Sequence, residues 1–193
     1  MKKLLITGFD PFNGNFVNPS WQAASALPET VGEYELKKLQ LPTVYGEAAN
    51  MVIAAAGEWT PDVILCLGLA GGRAAATPER VGINIRSASI ADNLGQQFTD
   101  SPILPDGPAA YFSTLPVTAM AKAIRDAGFP GMVSNTAGTY VCNDVLYTLL
   151  HHFAGTATRV GFIHVPYLPE QGEPNMALAD IVGALQAAIS AMD

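Results

Sequence analysis

Cys142 has the clearest potential for chemistry in this sequence. It follows a glycine-containing segment, residues 136–141, and precedes an apolar, helix-spaced repeat from Val145 to Leu150. This pattern predicts a helix that begins near the cysteine, where free backbone N–H groups and the helix dipole favour a thiolate. The same N–H groups can hold an oxyanion formed when the thiolate attacks a carbonyl. On position alone, a small buried core side chain is an equally good interpretation.

Cys66 has a different setting. It lies within the apolar segment DVILCLG, on a predicted central strand, and no polar neighbour would activate its sulfur. We therefore expect Cys66 to be a core residue. The two cysteines form no C-x-x-C pair and have no histidine at metal spacing, so we expect free thiols and no metal site.

A nucleophilic thiol needs a base, and the chain offers three histidines: His151, His152 and His164. The first two follow Cys142 by nine and ten positions on the same predicted helix, about 13 to 15 Å along its axis, so neither can reach the sulfur. His164 ends the apolar strand VGFIHV, at the sheet edge where the Cys142 helix begins. A lone histidine there is more often structural, but His164 is the one that geometry allows as a partner of Cys142.

A third polar group usually orients such an imidazole, and spacing alone does not choose it. Glu79 in TPERVGINIR lies at a predicted junction between a loop and a strand, and Asp10 and Asp92 also lie near predicted strand ends. For Glu79, an ion pair with Arg80 or a loop cap is an equally good interpretation.

The first loop, GFDPFNGNFVNPS, places Phe9 and Phe12 three residues apart around Asp10 and Pro11. Two aromatic side chains on such a loop can wall a small apolar pocket or can pack the top of the sheet. No dinucleotide-binding glycine fingerprint, phosphate-binding loop or H-E-x-x-H motif is present.

Composition narrows the class of protein. The chain has 193 residues, 49% hydrophobic and 14% charged, which predicts a single domain over residues 1–193. A net charge of -7 and a pI near 4.8 argue against general binding to nucleic acid or to acidic membranes. The apolar runs are too short to span a bilayer, and that of MKKLLITGFD is too short for a signal peptide. We therefore expect a cytoplasmic protein with a small partner.

Short β-rich runs alternate with helix-spaced segments along the chain. This alternation predicts an α/β fold, a three-layer αβα sandwich around a mostly parallel twisted sheet. Asn18 is predicted as the N-cap of the first helix, with Pro19 at the first helical position. Two of the predicted strands cover residues 80–89 and 131–135. The connection over residues 90–110 has little periodicity, and the overlapping stretch SPILPDGPAAYF, residues 101–112, is a candidate lid or contact surface.

These candidate residues lie within a longer series of motifs. In chain order, the motifs are TGFDPFNG, NPSW, GLAGGR, TPERVGIN, ADN, GPAAYFSTLPV, TAGTYVCN and GFIHVPYLPEQ. Together they resemble the pyroglutamyl peptidase family, also called the pyrrolidone-carboxylate peptidases, over nearly the whole chain.

The resemblance implies a cysteine peptidase that removes N-terminal pyroglutamyl residues from peptides through a thioester, without a metal or cofactor. The family pattern implies Cys142 as nucleophile, His164 as base and Glu79 as orienting carboxylate. The lactam pocket of the family carries over onto Phe9, Phe12, Ile90, Tyr140, Val141 and Thr43. The resemblance also implies a homo-oligomer, either a dimer or a tetramer.

Four positions depart from the family pattern. Leu69 stands in the place of a glutamine, Ser89 in that of an arginine, Ala91 in that of a proline and Asn13 in that of a glycine. Loss of an amide and a cation would weaken hydrogen bonds to the substrate or the oxyanion, by about 10² in rate where the group acts directly. A pyroglutamyl-binding relative with weak or no turnover is therefore the alternative function.

Overall fold

A six-stranded sheet forms the centre of the computed structural model, which describes residues 1–193. The strands are β1 (Lys2–Phe9), β2 (Thr30–Val31), β3 (Tyr34–Leu41), β4 (Val63–Leu69), β5 (Thr77–Pro78), β6 (Val81–Ile83), β7 (Ala110–Phe112) and β8 (Arg159–Val165). The helices are α1 (Pro19–Ala26), α2 (Glu47–Trp59), α3 (Val117–Asp126), α4 (Val141–His152) and α5 (Leu178–Ser190). The sheet has the order β2-β3-β1-β4-β8-β5, and β6 and β7 form a separate two-stranded sheet.

The four central strands are parallel. β1 pairs in parallel with β3 and β4, and β4 pairs in parallel with β8. β2 and β5 add one antiparallel strand at each edge. Because parallel strands end at the same edge of a sheet, the segments after β1, β4 and β8 meet there. The prediction of a mostly parallel sheet is confirmed.

Helices cover both faces of the sheet. One core cluster combines residues of α1, α3 and α5 with Leu4 and Ile6 of β1, and a second combines residues of α2 and α4 with Leu5 and Phe9. Successive side chains of a strand point to opposite faces, so neighbouring residues of β1 enter different clusters. The result is the predicted arrangement of three layers. None of the helices has both the length and the hydropathy that crossing a bilayer requires.

The first helix begins as predicted. Asn18 caps α1 by accepting a hydrogen bond from Ser20 N at 3.1 Å, and Pro19 takes the first helical position. Gly8 allows the helix to approach β1 closely, because a Cβ at Gly8 would lie 2.6 Å from the backbone of Ser20. This approach lets Phe9 N donate a hydrogen bond to the Ser20 hydroxyl at 3.0 Å. The start of the loop after β1 is thereby fixed.

The strand predicted over residues 80–89 is wrong for most of its length. β6 ends at Ile83 and pairs with β7 instead of joining the main sheet. Asn143 of α4 accepts a hydrogen bond from Ile83 N and donates to the carbonyl groups of Ile83 and Ile85. A side chain therefore satisfies the backbone groups that a neighbouring strand would otherwise pair.

The strand predicted over residues 131–135 is reduced to two bridges. Gly131 pairs with Ala76, and Ser134 pairs with Glu79, both in parallel. Isolated bridges do not form the evenly spaced ladder of a parallel strand, so the prediction is wrong as to element type. The second bridge nevertheless brings the loop before α4 beside Glu79.

Candidate active site

Cys142 lies in the first turn of α4. Tyr140 is the N-cap residue, and its side chain makes no capping hydrogen bond, so the first N–H groups of the helix have no side-chain partner there. The sulfur lies over Gly68 of β4, where a Cβ would be 2.7 Å from Cys142 Sγ. Gly68 is also in register with His164 of the adjacent strand β8. One glycine is therefore the common neighbour of the candidate nucleophile and the candidate base.

A buried hydrogen bond joins His164 to Glu79. The distance from His164 Nδ1 to Glu79 Oε1 is 2.7 Å, and the glutamate side chain is fully buried. Glu79 directly follows β5, which pairs with β8 through Thr77 and His164. The pairing of these strands delivers the carboxylate to the imidazole. Of the three candidate carboxylates, Glu79 is the one that contacts His164, whereas Asp10 and Asp92 make other contacts.

Glu79 also forms an ion pair with Arg73. Arg73 Nη1 lies 2.6 Å from Glu79 Oε1, and Arg73 Nη2 donates to the Thr136 carbonyl at 2.9 Å. The alternative ion pair of Glu79 with Arg80 does not form, since Arg80 Nε donates to Asn135 Oδ1 instead. Sequence reasoning missed Arg73. The available signal was GLAGGR, in which a cation follows a Gly-Gly turn at the carboxyl end of a predicted strand.

Burial and hydrogen bonding act in opposite directions on the pKa values of the histidine and the glutamate. Burial lowers the pKa of His164, against the opposing effect of Glu79, so the imidazole is neutral near pH 7. Burial alone would raise the pKa of Glu79, but hydrogen bonds, first of all with His164, hold that pKa below its ordinary value. An ionised Glu79 accepts the proton of Nδ1–H, which leaves Nε2 of His164 as the basic nitrogen.

The surroundings of Cys142 disfavour a thiolate. Burial, together with the negative charge of Glu79, raises the pKa of Cys142 to about 12, and the cation of Arg73 and the cysteine's own N–H offset this only in part. The position at a helix start therefore does not by itself produce a thiolate, contrary to expectation. Forming the thiolate requires a base to take the proton, and the neutral imidazole of His164 faces the same cavity.

Cys142 and His164 face a cavity of about 260 Å³. Four of the six predicted pocket residues line it, namely Phe9, Phe12, Thr43 and Tyr140. Its other lining residues are Asn18, Leu69, Ala70, Gly71, Arg73, Ala137 and Gly138. Sites for drug-sized ligands have volumes of about 300 Å³ or more, so this cavity suits a smaller group.

Ile90 and Val141 are the two predicted pocket residues that do not line the cavity. Val141 is fully buried in the core cluster that contains Phe9. Ile90 is half-buried in the long connection, whose main chain is held by a hydrogen bond of 3.0 Å from the Tyr140 hydroxyl to the Ala91 carbonyl. Tyr140 therefore forms part of the cavity wall, whereas the side chains of Ile90 and Val141 do not.

The other two candidate carboxylates organise the loops around the cavity. Asp10 Oδ1 accepts hydrogen bonds from Thr43 N and Thr43 Oγ1, both at 2.7 Å, and from Asn93 Nδ2 at 3.1 Å. Asp92 Oδ2 accepts from Tyr45 N at 3.0 Å. These bonds tie together the loop after β1, the loop after β3 and the long connection.

A second ion pair anchors the helix that carries the cysteine. Asp144 Oδ1 lies 2.6 Å from Arg86 Nε, and Asp144 Oδ2 accepts a hydrogen bond from Gly46 N at 2.9 Å. Gly46 is the N-cap residue of α2, and the Arg86 guanidinium lies 5.6 Å from the ring centre of Tyr45. The turn that contains Cys142 is thereby bonded to the start of α2.

His151 and His152 lie at the other end of α4, as predicted. They are its last two residues, and both are exposed. His151 Nδ1 shares a hydrogen bond of 2.8 Å with the Tyr111 hydroxyl. Neither histidine lines the cavity.

The fold and the site together define a class of protein. A mostly parallel α/β sheet presents, at the carboxyl edge of its strands, a cysteine, a histidine and a buried carboxylate beside a small cavity. These are the parts of a cysteine-type hydrolase.

Known proteins similar to this chain narrow the class to one family. The family model described as pyroglutamyl peptidase matches residues 2–193. The chain is 50% identical to a pyrrolidone-carboxylate peptidase of Levilactobacillus brevis, over 98% of this chain and 97% of that protein. It is 48% identical to one of Erwinia tasmaniensis, over 98% of this chain and 92% of that protein.

A solved structure agrees with this match. The crystal structure of Bacillus amyloliquefaciens pyroglutamyl peptidase I has a TM-score of 0.96 and 41% identity, covering 100% of this chain and 97% of that one. The chain belongs to the pyroglutamyl peptidase family.

Proposed function

We propose that this protein is a cysteine peptidase that removes N-terminal pyroglutamyl residues from peptides. The observation that carries the proposal is the cavity in which Cys142 and His164 meet a wall of Phe9, Phe12 and Tyr140. Pyroglutamate is a small neutral lactam, so a mainly apolar slot of this size suits its ring. The names of the similar proteins support the same activity.

The charged and ionisable groups of the wall favour a substrate without a free amine. They belong to Arg73, Tyr140, Cys142 and His164, and the one permanent charge, the cation of Arg73, is paired with Glu79. An ordinary peptide has an α-ammonium group at its N-terminus, and the cavity wall holds no carboxylate that would pair with it. Cyclisation to pyroglutamate removes that positive charge. Selectivity therefore follows from charge as well as from ring size.

In the proposed first step, the Cys142 thiol gives its proton to Nε2 of His164 while the sulfur attacks the pyroglutamyl carbonyl carbon. Glu79 accepts the Nδ1–H hydrogen bond and stabilises the resulting imidazolium. The C=O electron pair moves onto the oxygen, which the N–H groups at the start of α4 stabilise. When the C–N bond breaks, the imidazolium protonates the leaving amine and a thioester remains on Cys142.

Hydrolysis of the thioester completes the cycle. A water molecule gives a proton to His164 as its oxygen attacks the thioester carbon. The C–S bond then breaks, free pyroglutamate leaves, and the proton returns to the sulfur. The reaction consumes one water molecule for each peptide bond cleaved.

The function is tested by release of a fluorescent amine from a pyroglutamyl amide, with the protein kept reduced. The matched prolyl amide has the same ring without the lactam carbonyl and with a charged amine. We expect kcat/KM for the pyroglutamyl amide to exceed that for the prolyl amide by on the order of 10³. Proline lacks the lactam carbonyl, so the polar groups of the site that bind this carbonyl would be left without a hydrogen-bond partner. Failure of folded protein to cleave the pyroglutamyl amide would refute the function, and equal cleavage of both would refute the selectivity.

Leu69 and Ser89, which motivated the alternative function of pyroglutamyl binding with weak or no turnover, lie in different surroundings. Leu69 lines the cavity, whereas Ser89 is exposed. The assembled groups of Cys142, His164 and Glu79 favour catalysis over binding with weak turnover.

Gly68→Ala is expected to lower kcat/KM for the pyroglutamyl amide by about 10²-fold, because displacing a reacting atom by about 1 Å has such an effect. The new Cβ would lie 2.7 Å from Cys142 Sγ and 2.8 Å from Phe162 Cζ, and both distances are too short, so the sulfur and the ring must both shift. Steady-state kinetics would measure the loss.

Gly57→Ala in α2 is the matched control. A Cβ at Gly57 meets no atom within 4 Å, so this variant should keep wild-type kinetics. Thermal unfolding would verify that both variants are folded. If Gly68→Ala were as active as Gly57→Ala, the sulfur would not be held against β4 as described.

Residues 1–193 are also proposed to act as one pyroglutamyl-peptidase-like domain in the cytoplasm. One main sheet with helices on both faces, and a family match over residues 2–193, support a single domain. A reducing compartment would keep the Cys142 thiol available. The homo-oligomer, a dimer or a tetramer, stays a prediction from the sequence.

A further inference from the structure

Arg73, which lines the cavity, connects three segments that meet beside it. Its Nη1 lies 2.6 Å from Glu79 Oε1 and 2.7 Å from the Thr77 hydroxyl of β5, and its Nη2 donates to the Thr136 carbonyl at 2.9 Å. Thr136 belongs to the loop that leads into α4. One guanidinium thus holds the candidate orienting carboxylate, the strand next to β8 and the segment before the cysteine helix.

Oε1 is the oxygen of the Glu79 carboxylate that has hydrogen-bond partners in good geometry, while the nearby Ser134 hydroxyl also lowers the pKa of Glu79. Oε1 accepts from both Arg73 and His164, whereas Oε2 is buried without a hydrogen-bond partner. Rotation of the carboxylate would break the bond from His164 unless another donor fixed Oε1. The planar guanidinium, itself fixed by Thr77 and Thr136, supplies this restraint.

We propose that Arg73 is a positioning residue of the active site, which holds Glu79 Oε1 against His164 Nδ1 and so directs His164 Nε2 toward the cysteine. The inference rests on the proposed peptidase function, because proton transfer to His164 is the step that it serves. Arg73 acts through Glu79 and His164 and need not touch the substrate.

The Arg73 cation also affects the pKa of the His164 imidazole. Two charged groups act on the ionisation of His164, Glu79 after β5 and Arg73 after β4, and Cys142 of α4 lines the same cavity as the imidazole. Glu79 favours the imidazolium, and Arg73 disfavours it. Removing the Arg73 charge should raise the pKa of His164, so that the neutral base is lost at a higher pH.

Arg73→Gln is the main test, and Arg80→Gln is its matched control. Arg80 directly follows Glu79 in the chain. Like Arg73, it binds the loop before α4, through Asn135, but it does not contact the Glu79 carboxylate. We expect Arg73→Gln to lower kcat by about 10²-fold with KM within about threefold of wild type. The acid limb of its kcat/KM profile should move to higher pH, while Arg80→Gln should keep the wild-type profile.

Arg73→Lys separates charge from geometry. A lysine keeps the charge but cannot bridge Glu79 and Thr136 in one plane, so kcat should fall by about 10-fold while the acid limb stays in place. If Arg73→Gln does not fold, Arg73→Lys alone tests whether Arg73 positions Glu79. A wild-type kcat in Arg73→Lys would overturn the geometric role.

Alkylation of Cys142 by iodoacetamide gives a readout that needs no turnover. Arg73 favours the thiolate, so Arg73→Gln should react more slowly at each pH, with its rate profile displaced to higher pH. Mass spectrometry would follow the modified residue. Profiles of kcat/KM and alkylation equal to those of Arg80→Gln would overturn the proposal. If wild-type protein cleaved no pyroglutamyl amide, the proposed function would fail, while the alkylation rates would still decide the role of Arg73.

Discussion

Cys142→Ala is expected to lower kcat/KM for the pyroglutamyl amide by about 10⁴-fold or more, because the proposed acyl intermediate forms on its sulfur. Two hydroxyl groups also line the cavity, those of Thr43 and Tyr140. Thr43 Oγ1 donates to Asp10 Oδ1 and the Tyr140 hydroxyl donates to the Ala91 carbonyl, so neither hydroxyl is hydrogen-bonded to His164. The variant should therefore have no substitute nucleophile.

Cys66→Ala is the matched control for the loss of a thiol. Cys66 is 1% exposed and belongs to the core cluster beneath α4, as predicted from its apolar surroundings. We expect its removal to change kcat/KM by less than about threefold while costing about 1 kcal/mol of stability. Acid quenching of the wild-type reaction should trap a thioester on Cys142. Undiminished activity of Cys142→Ala would refute a mechanism through that thiol.

Glu79→Gln is expected to lower kcat by about 10³-fold, the second-largest effect. The amide can donate a hydrogen bond to Nδ1, which would move the remaining proton of the imidazole to Nε2, the atom that must accept the thiol proton. The variant also withdraws the negative charge that stabilises the imidazolium. Kinetics on protein verified as folded would measure the loss, and Glu58→Gln on the exposed surface of α2 is the control.

The pH dependence of Glu79→Gln should shift in the direction opposite to that of Arg73→Gln. The negative charge of Glu79 raises the pKa of His164 against the effect of burial, so its removal lowers that pKa further. The neutral imidazole then persists to lower pH, and the acid limb of kcat/KM moves to lower pH. An unmoved acid limb in the residual activity would show that Glu79 does not interact with the titrating base.

Local sequence patterns were sufficient for most of the fold. The apolar runs that form β1, β4 and β8, and the Asn18–Pro19 start of α1, carry their own signals of periodicity and capping. The segment 80–89 looked equally strand-like. Its pairing depended on Asn143, a residue about 60 positions away, and no local pattern reports such a partner.

Part of the candidate site could also be predicted from local sequence, and part depended on contacts between distant residues. Cys142 and His164 could be predicted to lie at one edge of the sheet because both are at ends of predicted elements. That Glu79 is the carboxylate beside His164 became clear only from the pairing of β5 with β8. Arg73 was missed because its role depends on which carboxylate its turn meets. The raised pKa of the thiol was also missed, since the burial that raises it depends on the whole fold.

The pairing of β8 between β4 and β5 has a consequence for when activity can first appear. Glu79 and His164 are 85 positions apart, and β8 begins only at Arg159, so they cannot meet until the ribosome has made most of the chain. Both the antiparallel pairing of β5 with β8 and the parallel pairing of β4 with β8 join residues far apart in the sequence, and such non-local pairing is slow. A nascent or partly refolded chain would have a cysteine but no oriented base beside it. Gain of turnover after dilution from denaturant should therefore lag behind helix formation and report the completion of the sheet.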